Sequence, residues 1–237
     1  MTKSNGFQFK QFFIAHNKCA MKVNTDAILL GSIANIGSAL SILDIGTGTG
    51  LIAIMLAQRT AYTTCQITAL EIEPNAFQQA VENIQQTVWK DRLSIKLCDF
   101  LDFQVTQKFD LIVSNPPYFE YSLASKSSER DLARATIHSH FVWLKHAKNL
   151  LSEEGKITFI LPFDVAEKLI EEAKEINLYC IERWDIATKQ GNPPKRMIVT
   201  FCKKFQQSDR LFLTIYDENH QYTEQYKKIT QLFYLNF

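Results

Sequence analysis

The stretch Ser41-Ile42-Leu43-Asp44-Ile45-Gly46-Thr47-Gly48-Thr49-Gly50 decides the fold. A short apolar strand, 41–45, runs into a loop with glycine at every second position, and a run of helical composition, 51–59, follows. Glycines at 46, 48 and 50 let the backbone turn tightly and approach a ligand with no Cβ in the way. The dinucleotide fingerprint G-x-G-x-x-G fails, because position 51 is Leu. The pattern that stands places a carboxylate, Asp44, just ahead of the loop. It would repel a pyrophosphate and suits a cationic ligand with an amino-acid tail.

Outward from this stretch the chain alternates strand-like and helix-like segments. Strands are expected over 65–71, 93–98, 109–113 and 157–161, and helices over 75–86, 136–151 and 164–174. Gly155 would end the second of these helices, and Asp164 would be the N-cap of the third. Segments 179–186 and 197–202 read as a strand pair around the loop 189–195. Repeated βα units give an α/β fold, a mostly parallel sheet with an antiparallel edge hairpin and helices on both faces. Residues 211–216 read as an added strand, 217–219 as a turn, and the aromatic tail with Tyr222, Tyr226, Leu232, Phe233 and Tyr234 as core packing. Thr25-Asp26 opens an apolar helical run, 27–36, and reads as an N-cap. The chain is expected to form one domain over 1–237, with an N-terminal basic segment and helix to 40, a core over 41–204 and a strand–helix extension over 205–237.

Ligands in such sheets sit at the carboxyl ends of strands, near the point where strand order reverses. Asp44, Glu71 and Asp99 fall in order at successive strand ends. Glu71, with Ile72 beside it, would accept from two ribose hydroxyls, and Asp99 from an adenine amino group with Phe100 against the ring. Singly, each acid reads as a solvated loop residue. In order behind a glycine loop they fit S-adenosylmethionine, a cofactor that is both a sulfonium and an amino acid. Lys22 and the helix start at Thr25-Asp26 would meet its carboxylate tail.

Asn115-Pro116-Pro117-Tyr118 follows the apolar strand 109–113. An amino group on an sp² carbon is a poor nucleophile, because its lone pair is delocalised. The Asn115 amide oxygen and the Pro116 carbonyl would both accept from that NH₂ and favour its shift toward sp³. The prolines hold these acceptors rigid, and Tyr118 would stack on the acceptor's plane. By itself the motif reads as an Asn-Pro turn. The upstream glycine loop makes it a candidate catalytic site.

Composition sets the bounds. At 237 residues, 46% hydrophobic and 22% charged, the chain is of ordinary globular type. The N-terminus has no apolar signal region, and no apolar run reaches the ~18 residues of a membrane span. Five scattered cysteines without a C-x-x-C pair fit reduced thiols in a cytoplasmic protein, with no zinc site expected. The histidines lack metal-ligand spacing. The net charge of +1 hides two acid-free basic segments. One, 1–25, holds Lys10 and Lys18, and the other, 189–204, holds Lys189, Lys195, Arg196, Lys203 and Lys204. With Arg130 and Arg134 these are the candidate contacts to RNA phosphates. Solvated edges are the plain alternative.

Three further stretches carry a resemblance. The N-terminal block 9–16, Cys19-Ala20-Met21-Lys22-Val23 with Thr25-Asp26, and Leu56-Ala57-Gln58-Arg59-Thr60, together with 109–118 and Leu232-Phe233-Tyr234-Leu235, resemble the tRNA1(Val) adenine-N6 methyltransferases over nearly the whole chain. The resemblance implies a Rossmann-like class I methyltransferase fold, S-adenosylmethionine as cofactor, and N6-methylation of adenine 37, just 3′ of the anticodon. It carries Asp44, Gly46, Glu71, Asp99 and Asn115 over to cofactor or target, and Asn115 to Tyr118 as the catalytic motif. Asn24 departs from it, standing where glycine is expected; a φ > 0 there would explain asparagine. Two rivals remain. A protein-glutamine N5-methyltransferase would present the same planar NH₂, but only about 40 residues precede the first core strand, few for a substrate domain. A non-catalytic RNA-binding module would not need Asp44 or Asn115 to Tyr118. Nothing in the sequence calls for an obligate protein partner.

Overall fold

The computed structural model describes residues 6–19, 21–117 and 139–236. Tyr118, Arg130 and Arg134 lie outside them. In chain order the elements are β1 (Gly6–Gln8), β2 (Phe13–Ala15), α1 (Thr25–Ile33), β3 (Ser41–Ile45), α2 (Leu51–Arg59), β4 (Gln66–Glu71), α3 (Pro74–Gln85), β5 (Leu93–Leu97), β6 (Phe109–Ser114), α4 (His140–Leu150), β7 (Leu151–Pro162), α5 (Phe163–Ala173), β8 (Tyr179–Lys189), β9 (Arg196–Cys202), β10 (Asp209–Tyr216) and α6 (Glu224–Thr230).

The main sheet runs β10-β8-β9-β7-β6-β3-β4-β5. β3 to β7 are parallel, and β9 is antiparallel to both its neighbours. The hairpin expected from the sequence is present, and β10 adds outside it, parallel to β8. Every residue of β3 is buried, which is why its apolar residues do not alternate with solvated polar ones; even its one charged residue, Asp44, is buried. Its side chains split between two cores. Ile42 joins α1 and α2 on one face, while Leu43 and Ile45 join α4 and α5 on the other. Strand order reverses at β3, whose neighbours are β4 and β6. The loops after β3 and β6 therefore lie side by side, and this placement makes the site.

Four local expectations change. The helix expected over 136–151 ends at Leu150, and β7 begins at once at Leu151. Gly155 is thus inside β7, next to the register shift between Phe109 and Leu111. A Cβ there would lie 2.9 Å from the Phe109 carbonyl oxygen, so glycine marks a close approach of strands, not a helix stop. Asp164 sits in the first turn of α5, where its charge suits the helix dipole, and Pro162 holds the cap position. The N-cap of α1 is Asn24, not Thr25 or Asp26. Its φ is −135°, and its side chain accepts from the Ala27 N–H at 2.8 Å. Asparagine is there for capping, so the left-handed explanation falls.

The N-terminal hairpin β1–β2 had no clear signal, being two three-residue strands. It is fixed by its aromatics: Phe9 stacks on Phe12 at 4.6 Å, and the Lys10 N–H donates to the Phe233 carbonyl at 2.8 Å. Tyr226 and Phe233 are buried in the same core and Tyr222 and Tyr234 pack against it, so the aromatics of the tail are packing, as expected; Leu232 is instead exposed. The five cysteines are unpaired. Among the described residues no helix is long and apolar enough to cross a membrane, and no cluster of His, Cys, Asp and Glu could hold a metal ion.

Candidate active site

The glycine loop is built from backbone that only glycine adopts easily. Gly46, Gly48 and Gly50 have φ of +67°, +58° and +82°. Gly50 caps α2, so that helix's N-terminus faces the loop. A carboxylate holds the loop from each side. Glu71, at the end of β4, accepts from the Gly48 N–H at 2.8 Å through Oε2, and from the Ile72 and Glu73 N–H groups at 2.9 Å each through Oε1. Asp44 lies wholly buried beneath. Its Oδ2 accepts from the Thr47 hydroxyl at 2.6 Å and the Ala53 N–H at 3.2 Å. Its Oδ1 has no partner among the described residues. Burial pushes the Asp44 carboxyl up to about 7; the bonds from Thr47 and Ala53 oppose this, and the Glu71 charge adds to it. A cation placed near it would draw the proton off.

Two cavities meet at Gly46. The smaller, about 40 Å³, is lined by Met21, Lys22, Val23, Asn24, Gly46 to Thr49, and Asn115. The larger, about 160 Å³, is lined by Gly46, Glu71, Ile72, Cys98, Asp99, Phe100, Pro117 and Trp143. Residues expected from the sequence at three strand ends are thus brought together around one glycine. Asp99 accepts from the Leu101 N–H at 2.9 Å and caps a short 3-10 turn, so part of its capacity is spent locally. Phe100 is buried, edge-on to Trp143 with ring centroids 5.2 Å apart. Trp143 and Cys98 were not singled out from the sequence. Trp143 comes from α4, about 100 residues beyond the glycine loop, and no local pattern marks it.

Other candidates fall elsewhere. Neither Thr25 nor Asp26 lines either cavity. Asp26 pairs with Arg196, Oδ2 to Nε at 2.9 Å, which ties α1 to the start of β9. One cofactor candidate and one RNA candidate therefore answer each other. Lys203 pairs with Glu153, and Lys204 with Glu154. The segment that is free of acids along the sequence meets acids across the sheet. Its Lys203–Lys204 end also lies at the far end of the sheet from Asn115. Arg196 pairs with Pro162 at the carboxyl end of β7, whereas Lys203 reaches the Leu151 carbonyl at its start. Seven residues of strand put them about 23 Å apart. Lys10 donates to the Gln231 carbonyl, and Lys18 pairs with Glu82, both on the side of the N-terminal hairpin. Lys189 sits 3.1 Å from His220 Nε2, and Lys195 is exposed on the β8–β9 turn.

Fold and site together define the class: a Rossmann-like, class I S-adenosylmethionine-dependent methyltransferase. The family described as a methyltransferase domain matches residues 36–233. A solved chain described as a predicted O-methyltransferase from Agrobacterium tumefaciens superposes with a TM-score of 0.65 at 18% identity, covering 87% of this chain and 96% of that one. The CcbJ methyltransferase from Streptomyces caelestis gives 0.57 at 11%, covering 76% and 90%. Sequence relatives are closer and more specific. A tRNA1(Val) (adenine(37)-N6)-methyltransferase from Actinobacillus pleuropneumoniae is 60% identical over 100% of both chains. One from Haemophilus influenzae is 50% identical over 98% of this chain and 100% of its own. The chain belongs to the tRNA1(Val) (adenine(37)-N6)-methyltransferase family.

Proposed function

We propose that this chain, acting as one domain in the cytoplasm, methylates N6 of adenine 37 in tRNA1(Val), with S-adenosylmethionine as donor. The observation that carries the reading is that Asn115 and the Gly46–Thr49 loop line one cavity at adjacent strand ends. The residues fit the cofactor. Among the described residues, Asp44 keeps a buried oxygen without a partner for a cation, and a Cβ at Gly48 would meet no atom within 4 Å, leaving room where a ligand would lie. When bound, S-adenosylmethionine supplies a methyl group on a sulfonium centre. Lys22 and the loop would hold its amino-acid end. Glu71, with the acceptor capacity left on Oε2, would take the ribose, and Asp99, Ile72 and Phe100 the base.

Asn115 and Pro116 would hold the acceptor amino group through two oxygens, and Tyr118 would stack on the adenine. No strong base is required, since the methylated amine loses its proton readily to water. Preorganisation is the main task. The adenine must leave the stack of its loop to reach the pocket. The test is transfer of labelled methyl to bulk tRNA, ribosomal RNA, DNA and release factors in parallel, followed by nucleoside analysis. Label in N6-methyladenosine of a valine tRNA is expected. Label on a release-factor glutamine would overturn the reading.

For the RNA face we retain Lys189 and Lys195, with Lys10, Lys18, Arg130 and Arg134 as further candidates, and set aside Lys203, Lys204 and Arg196. The β8–β9 turn lies at the same end of the sheet as Asn115. Two strand spacings separate β6 from β9, about 10 Å. Charge reversal at Lys189 and Lys195 together is expected to raise the KM for tRNA. It should also reduce the salt slope of binding by about 1–2, roughly one counterion per lost phosphate contact. Cofactor affinity should not move. Normal methylation by the double variant at physiological salt would place the RNA face elsewhere.

A further inference from the structure

The segment that carries Asn115 has an anchoring problem. Pro116 and Pro117 have no N–H, so neither can be fastened by a main-chain donor of its own, and other groups must help hold the segment. Two side chains do. Ser114, the last residue of β6, is fully buried, and its Oγ donates to the Ile45 carbonyl at 2.8 Å. The paired register of β3 and β6 ends at Ile45 and Ser114. The hydroxyl therefore adds a tie at the point where the ladder stops, between the residue before Asn115 and the residue before Gly46.

On the other side stands His140, the first residue of α4. It is buried and hydrogen-bonds to the Pro117 backbone. Since proline offers only a carbonyl, the imidazole donates. Burial lowers the imidazole pKa and this bond opposes it; the net lowering favours the neutral ring, which still has one N–H to give. One turn further on, Trp143 lines the larger cavity with Pro117 and Gly46. The start of α4 is thus registered to both loops.

We propose that Ser114 and His140 are positioning residues that set the spacing between the acceptor-holding Asn115–Pro116 and the donor's seat at Gly46. The inference rests on the reading that Asn115 holds the acceptor nitrogen. Neither residue touches the reacting atoms. Each acts through the placement of the segment, where an error of about 1 Å costs on the order of 10²-fold in rate.

The experiment compares Ser114→Ala, Ser114→Cys, His140→Ala, His140→Asn and His140→Gln with the wild type. Readouts are single-turnover rate on tRNA, KM for tRNA, S-adenosylmethionine affinity by calorimetry, and Tm. The alanine variants are expected to lose roughly 10- to 100-fold in kcat with cofactor Kd and KM little changed. At least one amide at 140, which keeps an N–H donor, should recover most of that loss. Ser114→Cys, similar in shape with a weaker donor, should fall between serine and alanine, and it carries the test if Ser114→Ala does not fold. Alanine variants that keep kcat within about twofold of wild type would overturn the proposal. So would a kcat loss matched by an equal loss of cofactor affinity, or folded amide variants no better than alanine. A wild type that methylates no adenine would instead fail the reading beneath it, before any variant is compared.

Discussion

Asn115→Ala is expected to lower methyl transfer to tRNA by about 10²-fold or more while S-adenosylmethionine binds nearly as well as to wild type. The split follows from where the atoms are. Asn115 lines the smaller cavity at its β6 side, opposite the glycine loop. The carboxylates that organise the loop, Asp44 and Glu71, make their hydrogen bonds within the loop and its flanks and none to Asn115. Removing the Asn115 amide therefore leaves the cofactor's seat standing. What would be lost, on the proposed role of Asn115, is an acceptor for the target amino group, whose grip would matter most as the nitrogen moves toward sp³ in the transition state. Asn115→Asp is a useful companion. It keeps the size and the acceptor oxygen, but exchanges the NH₂ donor for a second oxygen and adds charge in a half-buried place. Single-turnover kinetics with calorimetric cofactor titration separate the two effects. Near-normal turnover by Asn115→Ala would sink the mechanism.

How much of this was legible in the sequence depended on the range of the interactions. β3 and the glycine loop are decided by neighbours one or two residues away, and both are where the sequence puts them. Glu71 and Asp99 could be placed because strand ends in a parallel sheet face one way. The errors lie where a partner is far along the chain. Asp26 and Arg196 are 170 residues apart, and nothing local to either says that they meet. Lys203 and Lys204 look unopposed until β9 lies against β7 and brings Glu153 and Glu154 alongside. Charge runs read along one segment ignore the strand next door. Asn24 shows a subtler failure. A cap and a left-handed turn both favour asparagine, and only the backbone dihedral separates them.

Gly48→Val is expected to weaken S-adenosylmethionine binding by about 10²-fold or more, close to 3 kcal/mol at 1.4 kcal/mol per tenfold. Either of two causes brings this about. The φ of +58° is one that a β-branched residue strongly resists, so the loop must shift and its bond to Glu71 must lengthen or break. If the loop holds instead, the added Cβ has no atom of the described residues within 4 Å, so the valine would project into the space proposed for the ligand. Strain alone would also lower stability, so a second glycine separates the causes. Gly191, in the β8–β9 turn, has φ of +82° and likewise nothing within 4 Å of a built Cβ. Gly191→Val should lower Tm by a comparable amount and leave cofactor affinity alone. Calorimetric titration of both variants decides the matter. Binding by Gly48→Val as tight as wild type, or equal losses of cofactor affinity in the two variants, would show that the loop does not hold the cofactor.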